Sequence, residues 1–362
     1  MRIAQVAPLA EAVPPKLYGG TERIVSYLTE ALVAAGHDVT LFASGDSRTS
    51  ATLVAPTPEA LRLREPKVLF HDAFHLPMLD EVRRRSHEFD VIHFHLDLLP
   101  LPLLETLACP HVFTLHGRQD LPDLWPCYEA FPHANFVSIS NHQRGPVPPR
   151  DWAGTVYHGL PSGLLPFSPR SEGYLAFLGR ISPEKRPDRA IAIAAATGRE
   201  LRIAAKIDRA DQAYWDEEIA PLVAAHDNVR YVGEVNDAGK AAFLAGADAL
   251  LFPIDWPEPF GLVMIEAMSA GTPVVAMRCG SVPEVMEDGV SGFVCDSVEE
   301  MIHAVRHRLP ALPRATVRAA FERRFTAERM ADDYLCIYAD LAAAHARGAS
   351  ARTGRPAAVA AE

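Results

Sequence analysis

The sequence predicts an α/β protein with two Rossmann-like domains, each built on a doubly wound parallel sheet. Short apolar runs typical of buried strands alternate with segments of helical period. The alternation stops in residues 161–173, which hold prolines, serines and glycines without a helical period, and restarts at Tyr174. Strand–helix alternation implies parallel sheets with right-handed crossovers. The 362 residues are enough for two separate cores.

Residues 1–160 form the predicted first domain. Thr21 is expected to cap its first helix, with Glu22 in the first turn of that helix. The helix would then begin just after a loop through Tyr18, Gly19 and Gly20. Apolar runs predict strands at residues 2–7, 39–42, 91–94, 111–114, 136–139 and 155–157.

Residues 174–320 form the predicted second domain, and residues 161–173 are the linker. A helical period continues over residues 321–344, which we expect to form one terminal helix. Residues 345–362 are rich in Ala, Gly, Arg and Ser, and this composition predicts a disordered tail. The strands of the second domain are predicted at residues 174–179, 201–204, 229–233, 249–252 and 273–276, and its helices at 188–196 and 261–269.

Composition excludes several classes of protein. The net charge of −11 argues against a nucleic-acid partner. The five cysteines are scattered without a C-x-x-C pair, so neither a disulfide framework nor a zinc site is indicated. No apolar run approaches the roughly 20 residues that a membrane span needs. Because Met1 and Arg2 lead into a strand without a signal peptide, we expect a cytoplasmic protein.

Two acidic residues stand eight positions apart where a strand meets a helix. Glu258 precedes the predicted helix, and Glu266 falls about a turn and a half inside it. Between them lie the backbone N–H groups of Gly261, Leu262 and Val263, which suit an anionic phosphate. One carboxylate could then reach hydroxyls on one side of a phosphate, and the other carboxylate could reach hydroxyls on the far side. A sugar nucleotide has that layout. The alternative is that both acids are solvated charges near a helix N-terminus.

A second charged segment follows the first strand of the second domain. Gly179 and Arg180 end this strand, and Lys185 lies five residues further on. A departing diphosphate develops negative charge and, without a metal, needs fixed cations nearby. Arg180 offers a bidentate fork and Lys185 a compact charge. The alternative is an exposed charged loop with no ligand.

The region around the two acids resembles the E-x7-E motif of retaining glycosyltransferases of the GT-B fold, especially glycosyltransferase family 4. The resemblance is strongest over residues 174–294 and extends to about residue 345. It implies two domains that face a cleft, the first on the acceptor side and the second for the nucleotide sugar, with residues 321–344 crossing back to the first domain. It rests on E-P-F-G at 258–261, E-A-M-S-A-G-T-P-V-V-A at 266–276 and G-S-V-P-E-V-M-E-D-G-V-S-G-F-V at 280–294.

The resemblance also implies roles for individual residues. The family places an Arg and a Lys against the diphosphate at the positions of Arg180 and Lys185, and its T-x-H-G histidine, here His116, borders the transferred sugar. Glu258 would hold a sugar hydroxyl and Glu266 the ribose. The implied catalytic residues are Glu258, His116, Arg180 and Lys185. The implied donor-binding residues are Gly19, Gly20, His95, Gly179, Arg180, Lys185, Lys206, Val235, Phe260, Gly261, Leu262, Val263 and Glu266, while His142 and His158 are further candidates.

The sequence departs from the family pattern at two places. His158 precedes Gly159 where many relatives carry Asn-Gly. Lys206 lies in a segment where many relatives have G-x-G. Three roles stay open for it: a phosphate contact, a sugar-selective residue or a surface lysine. The loop at residues 234–236, which includes Val235, is expected to meet the nucleotide base through backbone amides.

Two groups of arginines are predicted to be solvated helix faces, with peripheral contact to anionic lipid or an acidic acceptor as the alternative. We expect no metal, since no Asp-x-Asp pair is present, and no cofactor beyond a nucleoside diphosphate sugar as co-substrate. The two groups are Arg83, Arg84 and Arg85, and Arg306, Arg308, Arg314, Arg318, Arg323 and Arg324.

Together these features predict a retaining hexosyltransferase that acts as a monomer or homodimer. UDP-glucose is the first expectation for the donor and GDP-mannose the second. The acceptor is a sugar, a lipid-linked sugar or a small metabolite. Two alternatives keep the fold and change the role: a sugar-nucleotide epimerase, which needs no acceptor, and a non-catalytic subunit that binds sugar nucleotides.

Overall fold

The computed structural model describes residues 1–16 and 19–353. For residues 237, 238 and 348–353 it describes the backbone alone. The chain divides into two compact units. Unit 1 comprises Met1–Ile139, Val147–Val156 and the chain from Glu328 onward. Unit 2 comprises Ser140–Pro146 and Tyr157–Ala327. The predictions for Tyr18 and for residues 354–362 lie outside the described residues.

Unit 1 is built on a seven-stranded parallel sheet with the strand order β3-β2-β1-β4-β5-β6-β7. Its strands are β1 (Arg2–Val6), β2 (Asp38–Phe42), β3 (Thr52–Val54), β4 (Val91–Phe94), β5 (His111–Thr114), β6 (Phe136–Ser138) and β7 (Gly154–Thr155). Its helices are α1 (Gly20–Ala34), α2 (Asp72–Arg85) and α3 (Trp125–Ala130). Short 3-10 turns connect several of these elements.

Unit 2 is built on a six-stranded parallel sheet with the order β10-β9-β8-β11-β12-β13. Its strands are β8 (Tyr174–Arg180), β9 (Leu201–Lys206), β10 (Val229–Gly233), β11 (Ala247–Phe252), β12 (Val274–Met277) and β13 (Gly292–Cys295). Its helices are α4 (Pro187–Thr197), α5 (Gln212–Tyr214), α6 (Ala220–Ala224), α7 (Asp237–Gly246), α8 (Leu262–Ser269), α9 (Val282–Val285), α10 (Val298–His303) and α11 (Arg314–Arg324). The last helix, α12 (Ala327–Thr353), belongs to unit 1 from Glu328 onward.

The two parallel sheets confirm the predicted α/β class. Every predicted strand is present, with ends shifted by at most two residues. Two strands were not predicted, β3 and β13, which hold only three and four residues. Both lie at the edge of a sheet, where pairing with a single neighbour, β2 or β12, defines them.

The start of α1 differs from the prediction. The prediction that Thr21 caps this helix was wrong: Gly19 holds the N-cap position and Gly20 is the first helical residue, without a side-chain cap. A Cβ atom on Gly19 would lie 2.8 Å from Cβ of Pro15, so close packing favours glycine at this cap. Thr21 therefore lies inside the first turn, where its hydroxyl is past the capping position.

The terminal helical segment is divided into α11 and α12, whereas the sequence predicted one helix over residues 321–344. Phe325 and Thr326 interrupt it. The N–H of Leu160 donates to the carbonyl of Phe325 at 2.9 Å, and the N–H of Ala327 donates to the carbonyl of Leu160 at 2.9 Å. These bonds replace helical ones, which explains the break. Residues 345–353, predicted to be disordered, continue α12.

Candidate functional site

The acidic motif lies at the carboxyl end of β11, a strand that pairs with β8 on one side and β12 on the other. Gly261 occupies the N-cap of α8 with a φ of 81°, in the left-handed region that favours glycine. A Cβ atom there would lie 2.7 Å from Cε of Met264. Among the described residues, the backbone N–H groups of Gly261, Leu262 and Val263 donate to no backbone acceptor outside α8. These donors are therefore available to an anion.

Glu258 is held by two neighbours in the loop before α8. Its Oε2 forms an ion pair with Nζ of Lys185, which ends the 3-10 turn Pro183–Lys185. The same Oε2 accepts a hydrogen bond from the indole N–H of Trp256 at 3.0 Å. The Lys185 ammonium lies 4.6 Å from the centre of the Trp256 ring, within cation–π range. The structure thus joins two predicted site residues that the sequence treated separately, and it adds Trp256.

The backbone of Glu258 rests against the segment that begins at Gly280. Gly280 has a φ of 58°, and a Cβ atom there would lie 2.4 Å from the backbone nitrogen of Glu258. The N–H of Ser281 donates to the carbonyl of Glu258 at 3.0 Å, and its hydroxyl donates to the carbonyl of Phe260 at 2.9 Å. Only a residue without a side chain allows this approach, so Gly280 sets the position of the Glu258 loop.

Glu266 lies inside α8 and is only 5% exposed. Its Oε1 accepts from Nζ of Lys240 at 2.6 Å. No motif in the sequence marks Lys240, which lies on α7 and is far from Glu266 along the chain. The sequence offered one indirect signal, the helix-capping residue Asn236. Its side chain caps α7 by accepting from the N–H of Gly239 at 2.9 Å. That cap places Lys240 in the first turns of a helix.

Arg180 and Lys206 occupy paired positions at the ends of β8 and β9. The Arg180 guanidinium donates to Glu184 at 3.0 Å and lies 3.8 Å from Oδ2 of Asp208. Lys206 forms an ion pair with Oδ1 of Asp208 at 2.8 Å. The structure therefore gathers these two cations around one carboxylate, whereas Lys185 is paired with Glu258. Gly179 precedes Arg180, and a Cβ atom there would meet nothing within 4 Å.

Phe260 and His158 belong to the packed interior of unit 2. Phe260 is 2% exposed, and its ring meets that of His158 edge-on at 4.8 Å. Phe325 also packs on it, at 6.1 Å. The buried side chain of Phe260 thus supports the motif from the interior of unit 2. Two other predicted candidates lie elsewhere in unit 2. Val235 is half-buried in the loop after β10. The backbone N–H of His142 donates to Oε1 of Glu284 at 2.6 Å.

Unit 1 brings His95 and His116 into direct contact. Nδ1 of His95 lies 2.9 Å from Nε2 of His116, and Nε2 of His95 lies 2.7 Å from Oε1 of Gln5. Burial lowers the pKa of His116 to about 3, so its ring is neutral near pH 7. Gly19 and Gly20 instead form the start of α1.

Of the six arginines predicted to form a solvated face near the end of the chain, Arg306 and Arg323 are exposed, whereas Arg314 is not. Arg314 donates to the carbonyls of Ser168, Ala245 and Ala247 and to the hydroxyl of Thr272. Burial lowers its pKa from the ordinary value. The prediction was therefore wrong for Arg314, because carbonyls left at loop and helix ends need donors. Arg318 and Arg324 donate to carbonyls in the same way. Arg83, Arg84 and Arg85 form ion pairs with Asp80 and Glu88.

Two further features are absent from the described part of the chain. Within residues 1–16 and 19–353, no group of three or more His, Cys, Asp or Glu side chains is arranged to hold a metal ion. Over the same part of the chain, no helix has both the length and the apolar composition needed to cross a bilayer.

Comparison with known families gives two matches that together cover most of the chain. The model for Glycosyltransferase Family 4 matches residues 18–214, and the model for Glycosyl transferases group 1 matches residues 167–309. A phosphatidyl-myo-inositol mannosyltransferase of Mycobacterium leprae (strain TN) is 27% identical over 321 residues, which cover 81% of this chain and 83% of the relative. A D-inositol 3-phosphate glycosyltransferase of Mycolicibacterium smegmatis is 32% identical over 217 residues, 57% of this chain and 48% of the relative.

Solved structures with the same fold include AviGT4, a glycosyltransferase involved in avilamycin A biosynthesis. It has a TM-score of 0.71 and 24% sequence identity, covering 95% of this chain and 98% of that one. Alr3699/HepE of Anabaena, solved in complex with UDP and glucose, has a TM-score of 0.70 and 19% identity, covering 94% of this chain and all of that one. Together with the two parallel sheets, these similarities confirm the GT-B fold that the sequence predicted.

Proposed function

Because this chain belongs to glycosyltransferase family 4, we propose that it is a retaining enzyme that moves a hexose from a nucleoside diphosphate sugar to an acceptor hydroxyl. One observation carries the proposal: unit 2 holds a carboxylate on either side of a row of helix amides, with Lys185 beside the first carboxylate. This order of groups matches the order of sugar, diphosphate and ribose in the donor.

The diphosphate would bind at the start of α8. The N–H groups of Gly261, Leu262 and Val263 and the helix dipole favour negative charge there. Lys185 supplies a full positive charge within reach of the Glu258 carboxylate. A diphosphate would compete with Glu258 for this ammonium, which leaves Glu258 able to accept a hydrogen bond from the sugar. Arg180 would add a second cation by exchanging Glu184 for phosphate oxygens.

The two carboxylates would then orient the two ends of the donor. Glu266, held through Oε1 by Lys240, would accept ribose hydroxyls at its other oxygen. Glu258 would fix a hydroxyl of the transferred sugar, and Trp256 would fix Glu258. In this arrangement the carboxylates select and position the donor, and the cations stabilise the leaving group as its charge develops.

We propose that transfer proceeds with retention and without a metal ion. As the bond between the sugar and the diphosphate breaks, fixed cations and amides stabilise the oxygen that leaves. The acceptor hydroxyl attacks the same face of the sugar, and the leaving phosphate oxygen takes its proton. Glu258 is a positioning group in this scheme and forms no covalent intermediate. His116 would border the transferred sugar, as the resemblance implies.

For the donor, UDP-glucose is the first candidate and GDP-mannose the second. The structure of Alr3699/HepE with UDP and glucose supports the first, and the name of the mycobacterial mannosyltransferase supports a mannosyl donor. The names of the relatives also make inositol compounds candidates for the acceptor, beside sugars and lipid-linked sugars.

The proposal is tested first by binding and then by transfer. Thermal unfolding is measured with UDP, GDP, ADP and their glucose and mannose derivatives, because a ligand that binds only the folded state raises Tm. The donor that stabilises the protein is then incubated with and without a panel of acceptors, and the anomeric configuration of the product is read by NMR. Inversion of configuration, or an epimer formed from donor alone, would contradict the proposal.

Glu258→Gln tests whether the Glu258 carboxylate is needed for transfer and not for folding stability. We expect the transfer rate to fall roughly hundredfold, the scale seen when one preorganised polar contact is lost, while Tm changes little. Glu287→Gln, an exposed carboxylate of the same unit, is the matched control. Near-normal turnover by Glu258→Gln would remove this residue from the site.

A further inference from the structure

Two loops of unit 2 carry charged residues of the proposed donor site. The cation loop, residues 181–186, follows β8 and includes Lys185. The acid loop, residues 253–258, follows β11 and includes Glu258. The strands β8 and β11 pair in parallel, so both loops leave the same edge of the sheet. The ion pair between Lys185 and Glu258 is one connection between the two loops.

The residues on either side of Lys185 both contact Asp255 of the acid loop. The backbone N–H of Asp255 donates to the carbonyl of Glu184 at 2.9 Å. Nη1 of Arg186 donates to Oδ2 of Asp255 at 2.8 Å. Asp255 thus holds the main chain before Lys185 and the side chain after it. Three consecutive residues of the cation loop are therefore fastened to the acid loop.

The contact between Arg186 and Asp255 belongs to a network of four charges. Arg186 also binds Asp188 with two nitrogens, from Nε to Oδ1 at 2.9 Å and from Nη2 to Oδ2 at 2.7 Å. Arg189, on α4, donates to Oδ2 of Asp255 at 2.8 Å and to the carbonyl of Pro253 at 3.3 Å. A single exposed ion pair contributes little, but a bidentate pair within a network restrains the geometry of its members.

The backbone of Arg186 is strained. Its φ of 54° and ψ of 53° lie in the left-handed region, which residues other than glycine rarely adopt. A residue in this conformation persists only where its surroundings hold it there. The ion pairs of its side chain with Asp188 and Asp255 provide that restraint. Since Arg186 directly follows Lys185, its conformation also sets the direction of the chain at Lys185.

We propose that Arg186 and Asp255 are positioning residues, which form a clamp that fixes Lys185 beside Glu258 before a donor binds. The consequence for transfer rests on the proposed function, in which a diphosphate takes the Lys185 ammonium from Glu258. The clamp keeps this ammonium in place during the exchange and while the leaving group develops charge. Arg186 and Asp255 touch no reacting atom in this scheme, because they act through the position of Lys185.

Hydrogen exchange of the full-length protein, read by mass spectrometry, tests the clamp without any substrate. Asp255→Ala removes the carboxylate that the two arginines share. We expect amide protons of residues 184–186 and 253–258 to exchange roughly fivefold faster, because the two loops then open together more often. Glu322→Ala is the matched control: Glu322 is 54% exposed, against 55% for Asp255, and it pairs with Arg318 on α11.

The control should leave exchange in both loops as in the wild type. Unchanged exchange in Asp255→Ala, or faster exchange in one loop alone, would overturn the clamp even if the protein proves to be the proposed transferase.

Transfer kinetics distinguish positioning from a general loss of stability. For Asp255→Ala we expect a kcat roughly tenfold lower at an unchanged KM for the donor, since the clamp acts when the leaving group develops charge. Asp255→Glu keeps the charge and should recover part of the kcat. Arg186→Gly removes the clamp but suits the left-handed backbone, so it should lower kcat in the same way without lowering Tm.

A normal kcat in Asp255→Ala, or an equal loss in Glu322→Ala, would exclude the positioning role. Absence of transfer in the wild type would contradict the proposed function, and hydrogen exchange would then decide whether the clamp exists.

Discussion

The ammonium nitrogen of Lys240 lies 2.6 Å from Oε1 of Glu266, and the two side chains are only 15% and 7% exposed. A carboxylate this deeply buried loses most of its hydration, so it needs a counter-charge and hydrogen bonds from the protein. Lys240 provides both. The second acid of the E-x7-E motif is therefore part of an ion pair between α7 and α8.

Lys240→Met should destabilise the protein by about 3 kcal/mol, because it leaves the buried Glu266 carboxyl group without the ammonium that pairs with it. The measurement is the free energy of unfolding in urea. The double variant Lys240→Met with Glu266→Gln is the control, and it should recover part of the loss because no unpaired charge remains. Equal stability of the single variant and the wild type would show that the pair contributes nothing.

Trp256→Phe should lower the transfer rate roughly tenfold. It removes the indole N–H that donates to Glu258 at 3.0 Å but keeps an aromatic ring beside Lys185. A lost hydrogen bond to a charged group costs about 1.5 kcal/mol or more, and a cation–π contact adds roughly 0.5–1 kcal/mol. Trp256→Leu removes both contacts and should therefore be slower still. If the two variants matched the wild type in kcat and KM, Trp256 would have no role in orienting Glu258.

Gly280→Ala should reduce both stability and transfer, because the new methyl group would overlap the backbone of Glu258. Gly289→Ala is the matched control: Gly289 also has a positive φ, 76°, but a Cβ atom there would meet nothing within 4 Å. The control should cost only the strain of a left-handed residue, roughly 1 kcal/mol, and keep its activity. Urea unfolding and initial rates measure the two effects. Equal behaviour of the two variants would mean that the Glu258 loop adapts freely.

The stability of unit 1 should fall as the pH decreases below about 6.5, the ordinary pKa of histidine in an unfolded chain. Burial lowers the pKa of His93 in the folded state, so below that pH the unfolded chain binds a proton that the folded chain does not. His93→Gln removes this linkage. The free energy of unfolding of the wild type should then fall more steeply, by about 1.4 kcal/mol per pH unit, than that of the variant.

Urea titrations between pH 8 and pH 4.5 measure this difference in slope. Above pH 7.5 the curves for wild type and His93→Gln should be parallel, since neither protein then takes up a proton at position 93. Parallel curves below pH 6 as well would contradict a neutral, buried His93.

Local patterns in the sequence were sufficient for much of the fold and for the two acids. Apolar runs predicted every strand except β3 and β13 to within two residues, and the spacing of Glu258 and Glu266 predicted a loop acid and a helix acid around the start of α8. Local reasoning was insufficient where the cause lies in another element. Leu160 divides the terminal helix, and the carbonyls that Arg314 satisfies come from separate segments, at Ser168 and at Ala245 to Ala247.

The sequence by itself determined the α/β class, the order of the strands along the chain and the types of residue at the motif, because hydrophobic periodicity and short-range spacing act within a few residues. Only the tertiary structure decided which partners those residues have. Lys185 meets Glu258, Lys240 meets Glu266, and Gln5 meets His95, each across 26 or more positions of the chain. Burial makes these pairings necessary, since a charge or polar group removed from water must find its partner wherever the folded chain provides one.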